Sequence, residues 1–205
     1  YEVIPMPAVR KITTEAIVDA AVEVLREGGF SAVNARSVAK KLGCSTQPIY
    51  LSFQSMDEVK AALTARTVNA HIARVRELLQ THAGIDARYT SYGMGLVRFA
   101  EQEKPLFRWL YLESGSFAPE QEDVLLPEIL EAMMEDYGYS EAVARDFHRD
   151  MARYAYGLAF LANAGHLHLD DSALRAALRR EFIALTGIYG WPPRIPRQIK
   201  EEENP

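Results

Sequence analysis

The chain has one cysteine, Cys44, so no disulfide can close within it. It has no apolar run near the ~18 residues that crossing a bilayer takes, and no stretch near Tyr1 with the apolar core of a signal peptide. A cytoplasmic protein with no membrane partner is the expectation. Met6 is a candidate start residue, which leaves open whether Tyr1–Pro5 is native. Also missing are a Gly-rich phosphate loop, a nucleophile elbow and a metalloprotease helix motif. Those absences argue against an enzyme, and no cofactor is expected. His166-x-His168 lacks a third ligand at a metal spacing, so no metal site is expected. No strand-like alternation bounded by turn pairs occurs, and no internal repeat. From Trp109 to Ala144 there is no Lys or Arg, while Glu113, Glu120, Glu122, Asp123, Glu128, Glu131, Glu135, Asp136 and Glu141 are acidic. Such a run reads as a solvated face, or as a collector of a cation or a basic partner.

What is present is an ordinary globular composition over 205 residues, 48% hydrophobic and 25% charged, enough for one large domain or two small ones. The most informative stretch is Ala39–Phe53, AKKLGCSTQPIYLSF. Ala39 adds little bulk where two helices cross. Gly43 can take the positive φ of a sharp inter-helix turn. Ser45 sits where an N-cap belongs. Pro48 then falls at the third helical position, where a missing N–H costs nothing. Ile49 and Phe53, four apart, form the inward stripe. Thr46, Gln47, Pro48, Leu51 and Ser52 face outward. The pattern predicts a helix-turn-helix, although any small helical hairpin can show Ala, Gly and Ile at such spacing.

The flanks extend it. Ile17, Ala21, Val24 and Leu25 make one apolar face of a first helix, stopped at Gly28-Gly29. Asn34 is placed to cap the second helix, and Ser55-Met56-Asp57-Glu58 reads as a capping box. From about Thr14 to Val59, with G-F, A-x-x-L-G-C-S, I-Y-x-x-F and S-x-x-E-V in that order, the chain resembles the N-terminal domain of the TetR family of transcriptional regulators. The resemblance implies a double-stranded DNA operator as partner. It also implies a lysine at the start of the fourth helix and a histidine near the end of the third as customary phosphate anchors. Here those positions hold Met56 and Ser52. The candidate phosphate contacts are therefore the Tyr50 hydroxyl, the Asn34 cap, and the cations Arg36, Lys40, Lys41, Lys60, Arg10 and Lys11.

The net charge of −5 does not oppose this. Residues 1–60 balance evenly, seven basic against seven acidic, so the whole excess of acid falls on residues 61–205. Within the first sixty residues much of the acid lies on the stripe Glu15, Asp19, Glu23, while base gathers beside the motif.

The remaining chain reads as helices over about Met56–Gln80, broken at Gly84-Ile85-Asp86, then Asp86–Glu103, Leu106–Leu112, a loop at Ser114–Pro119, a helix opened by Pro127, Ser140–Ala164 and Asp170 or Asp171 to Thr186. The fold class is all-α: a three-helix head at 10–55 with its motif at 34–53, a helical ligand-binding and dimerisation domain at 56–189, and an extended or disordered tail at 190–205. Tyr154–Ala162 is apolar nearly all round and must be buried on more than one face. In the resembled family the last two helices pair with their copies in a second subunit. That implies an interface at Tyr156, Gly157, Phe160, Leu174, Phe182 and Leu185, although the same residues would serve a monomer's core. A small-molecule effector is implied too. Tyr92, Phe99, Phe107, Trp109, Tyr111, Met133, Met134, Tyr137, Phe147 and Tyr154 are candidates to line an adaptable pocket, or are plain core. Arg98 or Arg108 could face an acidic ligand, but a surface charge is the plainer reading of each. The chain thus reads as a homodimeric, ligand-released repressor. Alternatives are a regulator gated by a protein or ungated, and an interaction module or enzyme that contains a helix-turn-helix.

Overall fold

The structure, a computed structural model, describes residues 12–81, 85–113 and 125–193. Among these residues all regular structure is helical. The helices are α1 (Thr14–Gly28), α2 (Ala35–Leu42), α3 (Gln47–Ser52), α4 (Met56–Thr81), α5 (Ile85–Gln102), α6 (Lys104–Arg108), α7 (Leu126–Tyr137), α8 (Glu141–Asn163) and α9 (Asp171–Tyr189). The arm at Val9–Lys11, the break at Gly84, the loop at Ser114–Pro119 and the tail beyond residue 193 lie outside the described residues.

Local chemistry sets most helix ends. Side-chain oxygens of Thr13, Asn34, Ser140 and Asp170 accept from backbone N–H groups three residues on, at Ala16, Ser37, Val143 and Ala173. Each such cap is worth about 1 kcal/mol. Ser55 accepts from Glu58 N–H at 3.3 Å, and the Glu58 carboxylate reaches back to the N–H of Gln54 at 2.7 Å. The expected box therefore closes one residue further upstream than its usual form.

Two expectations needed correction. Ser45 does not occupy the N-cap of α3. That position falls to Thr46, whose backbone is already helical and whose side chain makes no capping bond. The reason lies in the first ladder bonds: Ile49 and Tyr50 both donate to the Thr46 carbonyl. Pro48 is therefore in the second helical position, where its missing N–H is still without cost. The aromatic helix expected at Leu106–Leu112 is instead α6, with Pro105 in its first turn, running into a π-helical turn at Trp109–Glu113. Across the two, Leu106, Phe107, Trp109 and Leu110 are all buried.

The chain divides into two compact units inside α4, between Thr67 and Val68. In the first, α1 packs on α2 and α3. Its core is Ile17, Ala21, Leu25, Val38, Ala39 and Ile49, joined by Val59 and Leu63 from the opening turns of α4. In the second, α5 is central and packs on α7, α8 and α9. Gly93 permits one close approach, since a Cβ there would stand 3.0 Å from Leu178 of α9. Arg98 on α5 locks the α8–α9 connection. Its guanidinium donates to Asp171 at 2.9 and 2.7 Å, to the Leu169 carbonyl at 2.7 Å and to Glu101 at 2.6 Å. Partial burial pulls the Arg98 pKa down, but its two carboxylates outweigh that and the net shift is upward. Arg98 is thus a structural clip rather than a group facing a ligand.

Candidate nucleic-acid interface

The turn before α3 is built by its sequence. Gly43 adopts the left-handed conformation, φ 70° and ψ 33°. Its N–H donates to Lys40 O at 3.2 Å, and Cys44 N–H donates to Ala39 O at 3.0 Å. This paired closure ends α2 sharply and sends the chain into α3. Ala39 is buried and Ile49 fully so, as a close helix crossing needs.

With Ile49 and Phe53 turned inward, α3 presents Gln47, Tyr50, Leu51 and Ser52 to solvent. Tyr50 is 53% exposed and Leu51 79%. Ser45 is exposed as well, while Thr46 and Pro48 are half-buried. No residue from Ser45 to Met56 is charged. Charge comes from the neighbouring helices, and the structure sorts the candidates. Lys41 donates to Glu27 across fourteen residues, and that bond raises its pKa. Lys60 stands 3.6 Å from Asp57 and 5.0 Å from the centre of the Phe30 ring. Among the described residues Arg36 and Lys40 make no ion pair and are exposed. Asn34 is committed twice, accepting from Ser37 N–H and donating to Ala32 O at 3.1 Å, so it holds the turn. Arg10 and Lys11 lie outside the described residues.

The residues expected to line a pocket divide between two aromatic clusters. Tyr137 and Phe147 pack around Phe182, with ring centres 5.1 and 4.9 Å away. Phe107 packs with Tyr111 at 4.6 Å, Phe160 at 5.3 Å and Phe99 at 6.2 Å, and Tyr111 meets Tyr156 at 5.6 Å. Trp109 and Met133 are buried; Met134 and Tyr154 are half-buried. One small cavity among the described residues is lined by Tyr92, but by no other of the ten, beside Tyr89, Gly93, His148, Met151 and Leu178. That cavity has about 10 Å³ of usable space, room for about one water. Its polar element was missed from sequence: the Tyr89 hydroxyl lies 2.9 Å from His148 Nδ1, both buried. The signal was there, since His148 shares a helical stripe with Ala144, Met151 and Ala155.

The residues expected at a dimer interface separate likewise. Leu174, Phe182 and Leu185 are buried in the unit's own core, and Tyr156 and Phe160 are half-buried against it. Gly157 faces outward, and a Cβ there would meet nothing within 4 Å. Leu161 at 47% and Ile188 at 73% are exposed on the same two helices, with Ala184 and Gly187 beside Ile188 also exposed.

Among the described residues no three His, Cys, Asp or Glu side chains converge as metal ligands. His168 bonds Glu101 at 3.0 Å, and that bond, with Arg98, holds the Glu101 carboxyl below its ordinary pKa. No described helix is long and apolar enough to cross a membrane.

Residues 17–63 match the family described as "Bacterial regulatory proteins, tetR family". Two solved structures share the fold. One is a TetR family transcription regulator from Marinobacter aquaeolei VT8, with 18% identity, a TM-score of 0.61, and coverage of 83% of this chain and 94% of that one. The other is a TetR-like transcriptional regulator from Rhodococcus sp. RHA1, with 18% identity, a TM-score of 0.57, and coverage of 91% and 99%. The comparison with curated proteins gave no match.

Proposed function

We propose that the chain is a DNA-binding transcription regulator of the TetR family, whose model its residues 17–63 match, and that it works as a homodimeric repressor whose hold on an inverted-repeat operator is released by a small molecule. The observation that carries the dimer is the outward apolar stripe of α8 and α9, where Gly157, Leu161, Ala184, Gly187 and Ile188 face solvent. Two copies laid stripe to stripe would bury it, and the small residues would let the helices approach closely. A dimer also answers the size of α3: six residues read few base pairs, and two heads double the site.

Gly157→Leu tests this cleanly. A Cβ at Gly157 would meet nothing of the chain's own within 4 Å, so the damage should fall on the partner. Sedimentation should report monomers, with operator affinity reduced and the single-chain fold retained by circular dichroism. An unchanged dimer would place the interface elsewhere.

Support for release by a ligand comes from the Tyr89–His148 pair facing a cavity otherwise walled by Tyr92 and by small or aliphatic residues such as Gly93, Met151, Ala155 and Leu178. A ligand larger than one water must widen that cavity, so it would favour a body conformation other than this one and shift the population away from the DNA-holding state. The small size of this one cavity also supports a second reading, an ungated or protein-gated regulator. Native mass spectrometry after exposure to cell extract separates them: a retained small molecule supports the first, a bare dimer that still binds its operator the second.

A further inference from the structure

We propose that Leu51 is a specificity residue that reads the C5-methyl group of a thymine in the major groove. The inference rests on α3 as the groove-facing helix. Among the large hydrophobic residues described as exposed, Leu51 is the most exposed, at 79%. Packing does not require it there, because Ile49 and Phe53 already supply the inward face of α3. A leucine side chain can neither donate nor accept, so no phosphate and no polar base edge rewards it. Of the groups that base pairs present in the major groove, the thymine methyl is the apolar one. The surroundings suit that contact. Gln47, Tyr50 and Ser52 beside it are uncharged, and Arg36 and Lys40, which make no ion pair among the described residues, sit on the preceding helix, available for backbone phosphates. Of the other methyl-bearing side chains of this stretch, Ile49 is fully buried and Thr46 half-buried and poorly presented.

The experiment uses the full chain. Duplexes bound by it are first selected from a random pool, which defines the half-site. Each thymine of the half-site is then replaced singly by deoxyuridine, which removes the methyl group and nothing else. Affinities are measured for the wild type, Leu51→Ala and Thr46→Ser, with thermal melts as a check on folding. At one thymine per half-site the wild type should lose about fourfold on deoxyuridine substitution, roughly fifteenfold when both half-sites carry it. Leu51→Ala should bind the thymine and deoxyuridine duplexes equally at that position, while Thr46→Ser keeps the wild-type difference. A Leu51→Ala protein that still discriminates fully at every thymine, or a wild type indifferent to all of them, overturns the assignment and leaves DNA binding intact. A wild type that selects no duplex overturns the groove-helix reading itself, and this inference with it.

Discussion

On the proposed reading, base recognition rests on side chains that carry no charge. Gln47 is exposed at the start of α3, and its amide can donate and accept together to an adenine edge. Gln47→Ala should cost about 1–3 kcal/mol per half-site and relax preference at one base pair. Binding measured across every single-base-pair variant of the operator checks this; equal weakening on all of them would mean that Gln47 does not read a base. The proposed phosphate contacts fall to other residues. Lys41 is engaged with Glu27 and Lys60 with Asp57, which leaves Arg36 and Lys40 as the unpaired cations of the described head. Counterions are released only where a cation neutralises a phosphate, at about 0.9 of slope each. Arg36→Ala should therefore lower the slope of log K against log salt by about two units for a dimer, one per head. Tyr50→Phe removes a neutral hydroxyl and should weaken binding with the slope unchanged. A salt titration of the three proteins distinguishes these roles.

At the scale of helices, capping fixes where α1, α2, α4, α8 and α9 start, and long-range bonds fix what an element touches. Tyr139, just before α8, is an example. It is buried, and its hydroxyl donates to the Gly190 carbonyl at 2.7 Å, tying the end of α9 to the start of α8. Burial pushes the Tyr139 phenol up from 10.0 to about 12. A pKa raised on folding means that the unfolded chain loses this proton first as the pH climbs. The stabilisation is whole below pH 10 and is lost as the pH rises toward 12. The loss should reach about 2–3 kcal/mol. Denaturant unfolding of the wild type and Tyr139→Phe between pH 9 and 12 measures it. The variant should start less stable, for want of the bond to Gly190, and then fall less steeply. Parallel declines would assign the alkaline step to other tyrosines.

At the scale of the whole protein, the proposed dimer has consequences that no single helix has. A twofold pair of heads should protect an inverted repeat with half-site centres about one or two helical turns apart. With Arg36 and Lys40 as the cations of each head, the dimer's salt slope should be about −4. A slope near −7 would bring Arg10 and Lys11 of the leading arm onto phosphates as well. Footprinting on the promoter beside its own gene, repeated over a range of salt, tests spacing and slope together. A direct repeat or a single protected half-site would contradict twofold binding.

Much of this was written locally in the chain. Asn34 with Ser37, Gly43 with Ala39, and Ser140 with Val143 act over three or four residues, so helix ends and the helix-turn-helix could be read before any fold was known. The apolar stripe of Ile17, Ala21 and Leu25 is likewise local, because helical periodicity alone brings it to one face. What periodicity does not specify is which neighbour an apolar face meets. The pattern of α8 and α9 suits a core or an interface equally well. Only their packing against α5 turned Leu174, Phe182 and Leu185 inward and left Gly157, Leu161 and Ile188 outside. The same holds for bonds between distant residues. The crossing of α1 and α2 sets Lys41, a candidate phosphate contact, against Glu27, and α9 brings Asp171 to Arg98. Tyr89 and His148 are separated by fifty-nine positions, and only the packing of α5 on α8 joins them. Capping and periodicity act within one turn of chain; a long-range pair forms only when the crossing of two helices has removed the distance between them.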